Sequence, residues 1–292
     1  MSKTEVAILG LGLMGTGMAS RLLSQGFPVT VYNRSPQKAE ALAKLGAKVA
    51  RTPREAVAGA AVVVSMLADD DAARAIWLGT NGALAGVAKG ATLVESSTIS
   101  VDWVRELSAA AKKRGCELLD APVTGSKPHA AAGELVFLGG GSADALNTVR
   151  PVLAAMGRDI IHIGPSGSGA MMKLINNFVC GVQAVALAEA VAVIERSGLD
   201  REKAVGVLTG GAPGSPMVKM IAARMLANDF TPNFPMRLIA KDLRYALKQN
   251  GAIPGMEVLA AALRTFEQAI EAGHGDQDFS AVVEVPRSNR KG

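Results

Sequence analysis

From Val6 to about Gly164, short β-branched runs alternate with amphipathic stretches of helical period, and no other feature constrains this chain so strongly. A strand that returns after each helix pairs with its predecessor in parallel, so the segment reads as a sheet wrapped by helices. Strands are expected at Val6 to Leu9, Val29 to Tyr32, Val62 to Met66, Thr92 to Glu95, Glu117 to Asp120 and Leu135 to Gly139. Helices are expected at Gly15 to Gln25, Pro36 to Leu45, Asp70 to Leu78, Val101 to Arg114 and Ala143 to Met156. The class is α/β, doubly wound.

After the glycine-rich break Gly164-Pro165-Ser166-Gly167-Ser168-Gly169 the strand signals nearly stop. One apolar, Ala-rich stretch runs from about Ala170 to Arg196. At about 1.5 Å per residue it makes a helix of roughly 40 Å, long enough to pass from one domain into the next. Further helices are expected at Arg201 to Leu208, Pro216 to Asn228, Met236 to Gln249 and Glu257 to Glu271. Residues 1–164 therefore read as one domain and 165–292 as a second, all-helical one.

Composition narrows the function classes. With 292 residues, 49% of them hydrophobic, the chain can bury two cores and is not disordered. The net charge of +5 is spread along the chain, with a basic tail only at Arg287 to Lys291 and few aromatics to stack on bases, so nucleic acid is not the expected partner. Cys116 and Cys180 lie far apart, and His129, His162 and His274 are scattered, which leaves no metal cluster in view. The expectation is a reduced, cytoplasmic protein with neither a signal peptide nor a membrane span, its apolar runs being broken by Asn, Gln, Glu or Gly.

Directly after the first strand comes Gly10-Leu11-Gly12-Leu13-Met14-Gly15, and then a helix with Met18, Leu22 and Leu23 on its apolar face. Between a strand and a helix, GxGxxG has a mechanism: Gly10 permits the tight turn, Gly12 lets a pyrophosphate approach the backbone, and Gly15 lets helix and strand pack closely. The second strand ends in Tyr32-Asn33-Arg34-Ser35, where NAD-selective proteins usually carry an acid for the ribose 2′-hydroxyl. Arg34, Ser35 and Lys38 offer a cation and donors to a 2′-phosphate instead, so NADP(H) is the expected cofactor; Arg34 taken singly also fits an ordinary surface residue.

Hydride transfer to a carbonyl needs an acid for the developing alkoxide. No histidine has a setting that recommends it; His129, the best placed, is expected in a loop where a surface role serves equally. Lys173 is the sharper candidate, with Asn177 four residues on and on the same helical face, able to position a substrate oxygen. A lysine near a helix start is otherwise an ordinary solvated charge.

Five motifs carry a resemblance that spans nearly the whole chain. They are GLGLMGTGMA from Gly10, Asp120-Ala121-Pro122-Val123-Thr124-Gly125-Ser126, Gly167-Ser168-Gly169 followed by Lys173 and Asn177, Lys241-Asp242-Leu243, and Asp278-Phe279-Ser280. Together they resemble the β-hydroxyacid dehydrogenases. The resemblance implies an N-terminal Rossmann domain joined by a long interdomain helix to a helical domain, with Lys173 as acid/base and Asn177 as its companion. It makes Thr124, Gly125 and Ser126 the substrate-carboxylate loop, sets Thr98 beside the nicotinamide ribose, and makes Lys241 a second-domain lysine reaching cofactor and substrate. Asp242 reads as structural, holding its helix or Lys241.

Thr124-Gly125-Ser126, followed by Lys127 and Pro128, departs from the Ser-Gly-Gly of many relatives and resembles the glyoxylate/succinic semialdehyde reductase branch. The expected substrate is thus a small carboxylate-bearing aldehyde or keto acid, with tartronate semialdehyde and 3-hydroxyisobutyrate chemistry next. Imine reductases, a related group that usually has Asp or Tyr at the lysine's place, and non-catalytic scaffolds are both disfavoured by Lys173. Phe178, Val182, Val185, Leu187, Val191 and Ile194 spread apolar surface round the long helix, so a homodimer or homotetramer is expected.

Overall fold

The computed structural model describes residues 3–250 and 253–288. The chain divides into two compact units, Met1–Lys173 and Leu174–Gly292. The first holds β1 (Val6–Leu9), β2 (Val29–Tyr32), β3 (Lys48–Val49), β4 (Val62–Ser65), β5 (Thr92–Glu95), β6 (Glu117–Asp120), β7 (Val123–Thr124), β8 (Leu135–Gly140) and β9 (Gly157–Gly164). They form one sheet in the order β3-β2-β1-β4-β5-β6-β8-β7, with β9 beside β8. β1 to β6 pair in parallel, whereas β8 is antiparallel to β6 and β7 and parallel to β9.

β1, β4 and β5 are buried at every residue, as in strands covered by helices on both faces; VAIL and VVVS are almost wholly apolar, while TLVE also buries Thr92 and Glu95. β3 and β7 have two residues each and leave no periodic signal. β9 was not foreseen because it is an exposed edge: Arg158, Asp159 and His162 interrupt its apolar residues, and only Gly157 is fully buried.

Helices Leu13–Ser24, Asp70–Leu78, Val101–Lys113 and Ala143–Met156 lie near their expected ranges. The helix expected at Pro36 to Leu45 is a 3₁₀ turn, Pro36–Ala39, running into Glu40–Lys44. Pro53–Ala56 and Lys127–Ala132 are short additional helices. Ile8, Met18, Leu22, Val64, Phe137 and Leu153 belong to the core that helices and sheet share.

The second unit is helical, with Arg201–Gly210, Pro216–Ala227, Met236–Asn250 and Glu257–Ala269 following the long helix Ser168–Ser197. Ile221, Met225, Ile239, Leu243, Leu263 and Phe266 are buried in it. The two compact units meet within the long helix, whose first turn is tied to β6 through Asp120.

Two further expectations change. Helix Ser168–Ser197 is long and apolar enough to cross a membrane by length and composition, and the polar residues noted above do not prevent it; half of its most apolar window is buried within the protein, as in a core helix. Arg287 does not begin a solvated tail: it pairs with Glu195 at 2.5 Å and Glu284 at 2.7 Å, because the short helix Glu284–Ser288 folds back onto the unit. Residues 289–291 of the expected tail lie outside the described residues.

Candidate active site

The loop after β1 assigns each glycine a separate task. Gly10 has φ +101°, and a Cβ on it would strike the carbonyl oxygen of Met66. A Cβ on Gly15 would strike the carbonyl oxygen of Gly10, so helix and turn touch there. A Cβ on Gly12 would meet nothing within 4 Å, which leaves the backbone open on the side where a ligand approaches. Helices Asp70–Leu78, Val101–Lys113 and Ala143–Met156 begin with an Asp or Ser side chain accepting a backbone N–H. Helix Leu13–Ser24 begins at Gly12 with no side-chain cap and no acid in its first turn. An uncapped helix start under an open glycine fits the pyrophosphate of a dinucleotide. Leu11 is buried, Met14 half-buried and Leu13 exposed, so this segment offers a ligand mainly its backbone.

Asn33 supports the loop from β2. Its Oδ1 accepts the Leu11 N–H at 2.9 Å, and its Nδ2 donates to the Ser35 carbonyl at 3.0 Å. One side chain therefore braces both the glycine turn and the bend that presents Arg34 and Ser35, which are exposed, as is Lys38. Ser35 precedes a 3₁₀ turn without capping it through its hydroxyl.

Thr98 is half-buried between β5 and helix Val101–Lys113. The carboxylate of Glu95, the last residue of β5, accepts from Trp77 Nε1 at 2.9 Å and from the Ser97 N–H at 3.0 Å, while Ser97 Oγ accepts the Leu67 N–H at 2.7 Å. Burial pushes the Glu95 carboxyl above its ordinary range, against the hydrogen bonds from Ser97 and Trp77.

Thr124 closes β7, and Gly125, at φ +117°, turns the chain into Ser126. His129 is not in a loop as expected. It lies in helix Lys127–Ala132, where its Nδ1 accepts the Ser126 N–H at 3.1 Å and sits 3.0 Å from Ser126 Oγ. The signals that mark this helix are a Ser at its start, Pro128 in its first turn and Gly133 at φ +76° after it. Helix Lys127–Ala132 packs on helix Leu13–Ser24 so closely that a Cβ on Gly17 would be 3.0 Å from the Ala130 Cβ. The 124–126 loop is thereby set against the helix that begins at Gly12.

Lys173 is half-buried in helix Ser168–Ser197. Asp120, quoted above only as part of a motif, holds the start of that helix by accepting the N–H groups of Gly167 at 2.8 Å and Ala170 at 2.9 Å. In the second unit Asn177 is buried; its Nδ2 donates to Asp242 Oδ2 at 2.6 Å, and its Oδ1 accepts from Asn176 Nδ2 at 3.0 Å. Both polar atoms of the amide expected to meet substrate thus have protein partners. Asp242 Oδ1 lies 3.0 Å from Lys241 Nζ, which sits 5.2 Å from the centre of the Tyr245 ring. Asp278 accepts the N–H groups of Asn233, Phe234 and Ser280, a structural use of the last motif.

A largely parallel sheet carrying this glycine loop, followed by a helical unit, defines an oxidoreductase that binds a pyridine nucleotide. The family model for the NAD binding domain of 6-phosphogluconate dehydrogenase matches residues 5–164, and that for NAD-binding of NADP-dependent 3-hydroxyisobutyrate dehydrogenase matches residues 167–286. NAD-dependent L-serine dehydrogenase of Pseudomonas aeruginosa is 35% identical over 96% of this chain and 97% of its own. Glyoxylate/succinic semialdehyde reductase 1 of Arabidopsis thaliana is 34% identical over 98% of this chain and 100% of its own. The structure of 3-hydroxyisobutyrate dehydrogenase from Mycobacterium tuberculosis with L-serine superposes with a TM-score of 0.88 at 36% identity, covering 98% of this chain and 100% of that one. The chain belongs to the β-hydroxyacid dehydrogenase family, oxidoreductases that act on hydroxyacids.

Proposed function

We propose that the protein reduces a small carboxylate-bearing aldehyde, glyoxylate or succinic semialdehyde, to the hydroxyacid, with NADPH as the hydride donor. The observation that carries this reading is the Thr124-Gly125-Ser126 loop, followed by Lys127, in the same unit as the open glycine cradle and Lys173. Two hydroxyls and an ammonium suit a carboxylate close to the carbonyl being reduced. Lys173 then gives a proton to the developing alkoxide, and takes it back in the reverse direction. Asn177 acts by holding its helix to Asp242. Arg34 and Ser35 meet the 2′-phosphate, in the absence of an acid at the end of β2. The proposal includes a cytoplasmic homodimer or homotetramer.

A second reading, oxidation of a 3-hydroxy acid such as L-serine or 3-hydroxyisobutyrate or reduction of tartronate semialdehyde, is favoured by the similarity to the L-serine dehydrogenase. Steady-state assay of glyoxylate, succinic semialdehyde, tartronate semialdehyde and butanal, each with NADPH and NADH, and of L-serine and 3-hydroxyisobutyrate with the oxidised cofactors, separates the two. The first reading expects the highest kcat/KM for glyoxylate or succinic semialdehyde with NADPH. Butanal reduced as efficiently as succinic semialdehyde would remove the carboxylate role of residues 124–127.

A further inference from the structure

We propose that Asp120 is a positioning residue for Lys173: its carboxylate clasps the start of the lysine's helix and fixes the turn from which the side chain projects. The proposal rests on Lys173 being the acid/base of the reading above. Asp120 ends β6, is 1% exposed, and sends one oxygen to Gly167 N–H and the other to Ala170 N–H. Those N–H groups lie at a helix start, where no intrahelical acceptor exists. Ala170 and Lys173 are three residues apart, hence on one face of the helix, so the clasped turn is the one that leads into the lysine.

The surroundings are shaped to this carboxylate. A Cβ on Gly140 would lie 2.6 and 2.7 Å from its two oxygens, and a Cβ on Gly169 would lie 3.0 Å from one of them. Gly140 thus leaves the carboxylate the space a side chain would fill, while at Gly169 the backbone carbonyl oxygens of Leu138 and Asp120 exclude a side chain first. Elsewhere helices are capped by the residue immediately before the first turn, either a serine, Ser100, Ser142 and Ser215, or an aspartate that is not buried, Asp69 and Asp200. Asp120 instead reaches its donors from 47 and 50 positions away in sequence, across from a different strand. A buried charge is an expensive cap, and burial does push this carboxyl up to about 6 against the amides that draw it down. What it adds over serine is registration: β6 leads within four residues to Thr124, so one strand end sets both the substrate loop and the lysine's turn.

A double-mutant cycle on the full-length enzyme, with NADPH and whichever of glyoxylate or succinic semialdehyde the wild type reduces faster, tests the clasp. Displacements near 1 Å slow chemistry by about a hundredfold. Asp120→Asn, of the same shape, is expected to lower kcat by about ten- to a hundredfold while the aldehyde KM and the NADPH Kd stay within about threefold. In a Lys173→Ala background the same change is expected to leave the residual rate unaltered, since the group it positions is gone. Ala170→Pro, which keeps the carboxylate and removes one donor, should reproduce the pattern. Wild-type kcat in Asp120→Asn overturns the proposal. So does loss of NADPH binding in that variant, or an equal slowing of the Lys173→Ala enzyme, since either marks a carboxylate serving the domain as a whole. Full turnover in Lys173→Ala alone would instead overturn the acid/base reading, a distinct result.

Discussion

Asn177 Nδ2 donates a 2.6 Å hydrogen bond to Asp242 Oδ2, with the two side chains only 3% and 1% exposed, and this bond ties helix Ser168–Ser197 to helix Met236–Asn250. Lys241 meets the other carboxylate oxygen. Asp242→Ala would leave a buried amide donor without its carboxylate acceptor and remove one partner of Lys241. The expected loss of stability is about 1–3 kcal/mol, seen as a lower Tm in thermal unfolding. An unchanged Tm would show that the bond does not hold the helices.

Two of the loop glycines should fail differently. Gly12→Ala meets no atom and is expected to keep the wild-type Tm while the NADPH Kd rises at least tenfold, because the added methyl occupies the approach to the backbone. Gly15→Ala collides with the Gly10 carbonyl and should lower the Tm and weaken binding together. Calorimetry and fluorescence titration on both variants check the contrast, and equal Tm losses would refute it.

Lys173→Ala should reduce kcat by about two to four orders of magnitude, the range for a general acid and its positioning, with NADPH binding retained. Retention of more than about a tenth of wild-type turnover would be incompatible with the lysine as acid/base.

Arg34 is exposed at the end of β2 beside Ser35, and no acid accompanies it. Arg34→Asp sets a negative charge against a 2′-phosphate and is expected to reverse a wild-type preference for NADPH, measured as the ratio of kcat/KM with the two cofactors. Equal efficiency of the wild type with NADPH and NADH would contradict this assignment.

Asp120 also makes stability depend on pH. Burial raises its carboxyl from 3.8 to about 6, opposed by the N–H groups of Gly167, Ala170, Gly169 and Asp120 itself. Between those values the native protein holds a proton that the unfolded chain releases, so this contribution falls as pH rises from about 4 to about 6 and is level above. The Tm of the wild type should therefore decline relative to Asp120→Asn across that window, and parallel Tm curves for the two proteins would argue against a raised pKa.

The central strands were legible in the sequence because burial on both faces favours short, mostly apolar runs rich in β-branched residues, and the six expected strands appear within a residue of their expected ends. The glycine spacing was legible for a similar reason, since each glycine answers a local steric demand of a strand-turn-helix unit. Exposed or very short elements were not. β9 carries its polar residues on a sheet edge, and helix Lys127–Ala132 is too brief to show a period, so His129 read as a loop residue.

Sequence by itself determined the α/β class and the dinucleotide loop, because each rests on local periodicity and spacing, whereas Lys173 stood out through the resemblance carried by five motifs along the chain. Tertiary structure decided what those residues lean on. Asn33 braces the turn at Leu11 from 22 residues away, Asp120 holds Gly167 and Ala170, and Asp242 engages the amide of Asn177 from 65 residues away. A side chain that completes a hydrogen bond across the fold leaves no periodic trace along the chain, and only the packing of strands and helices brings its partner within reach.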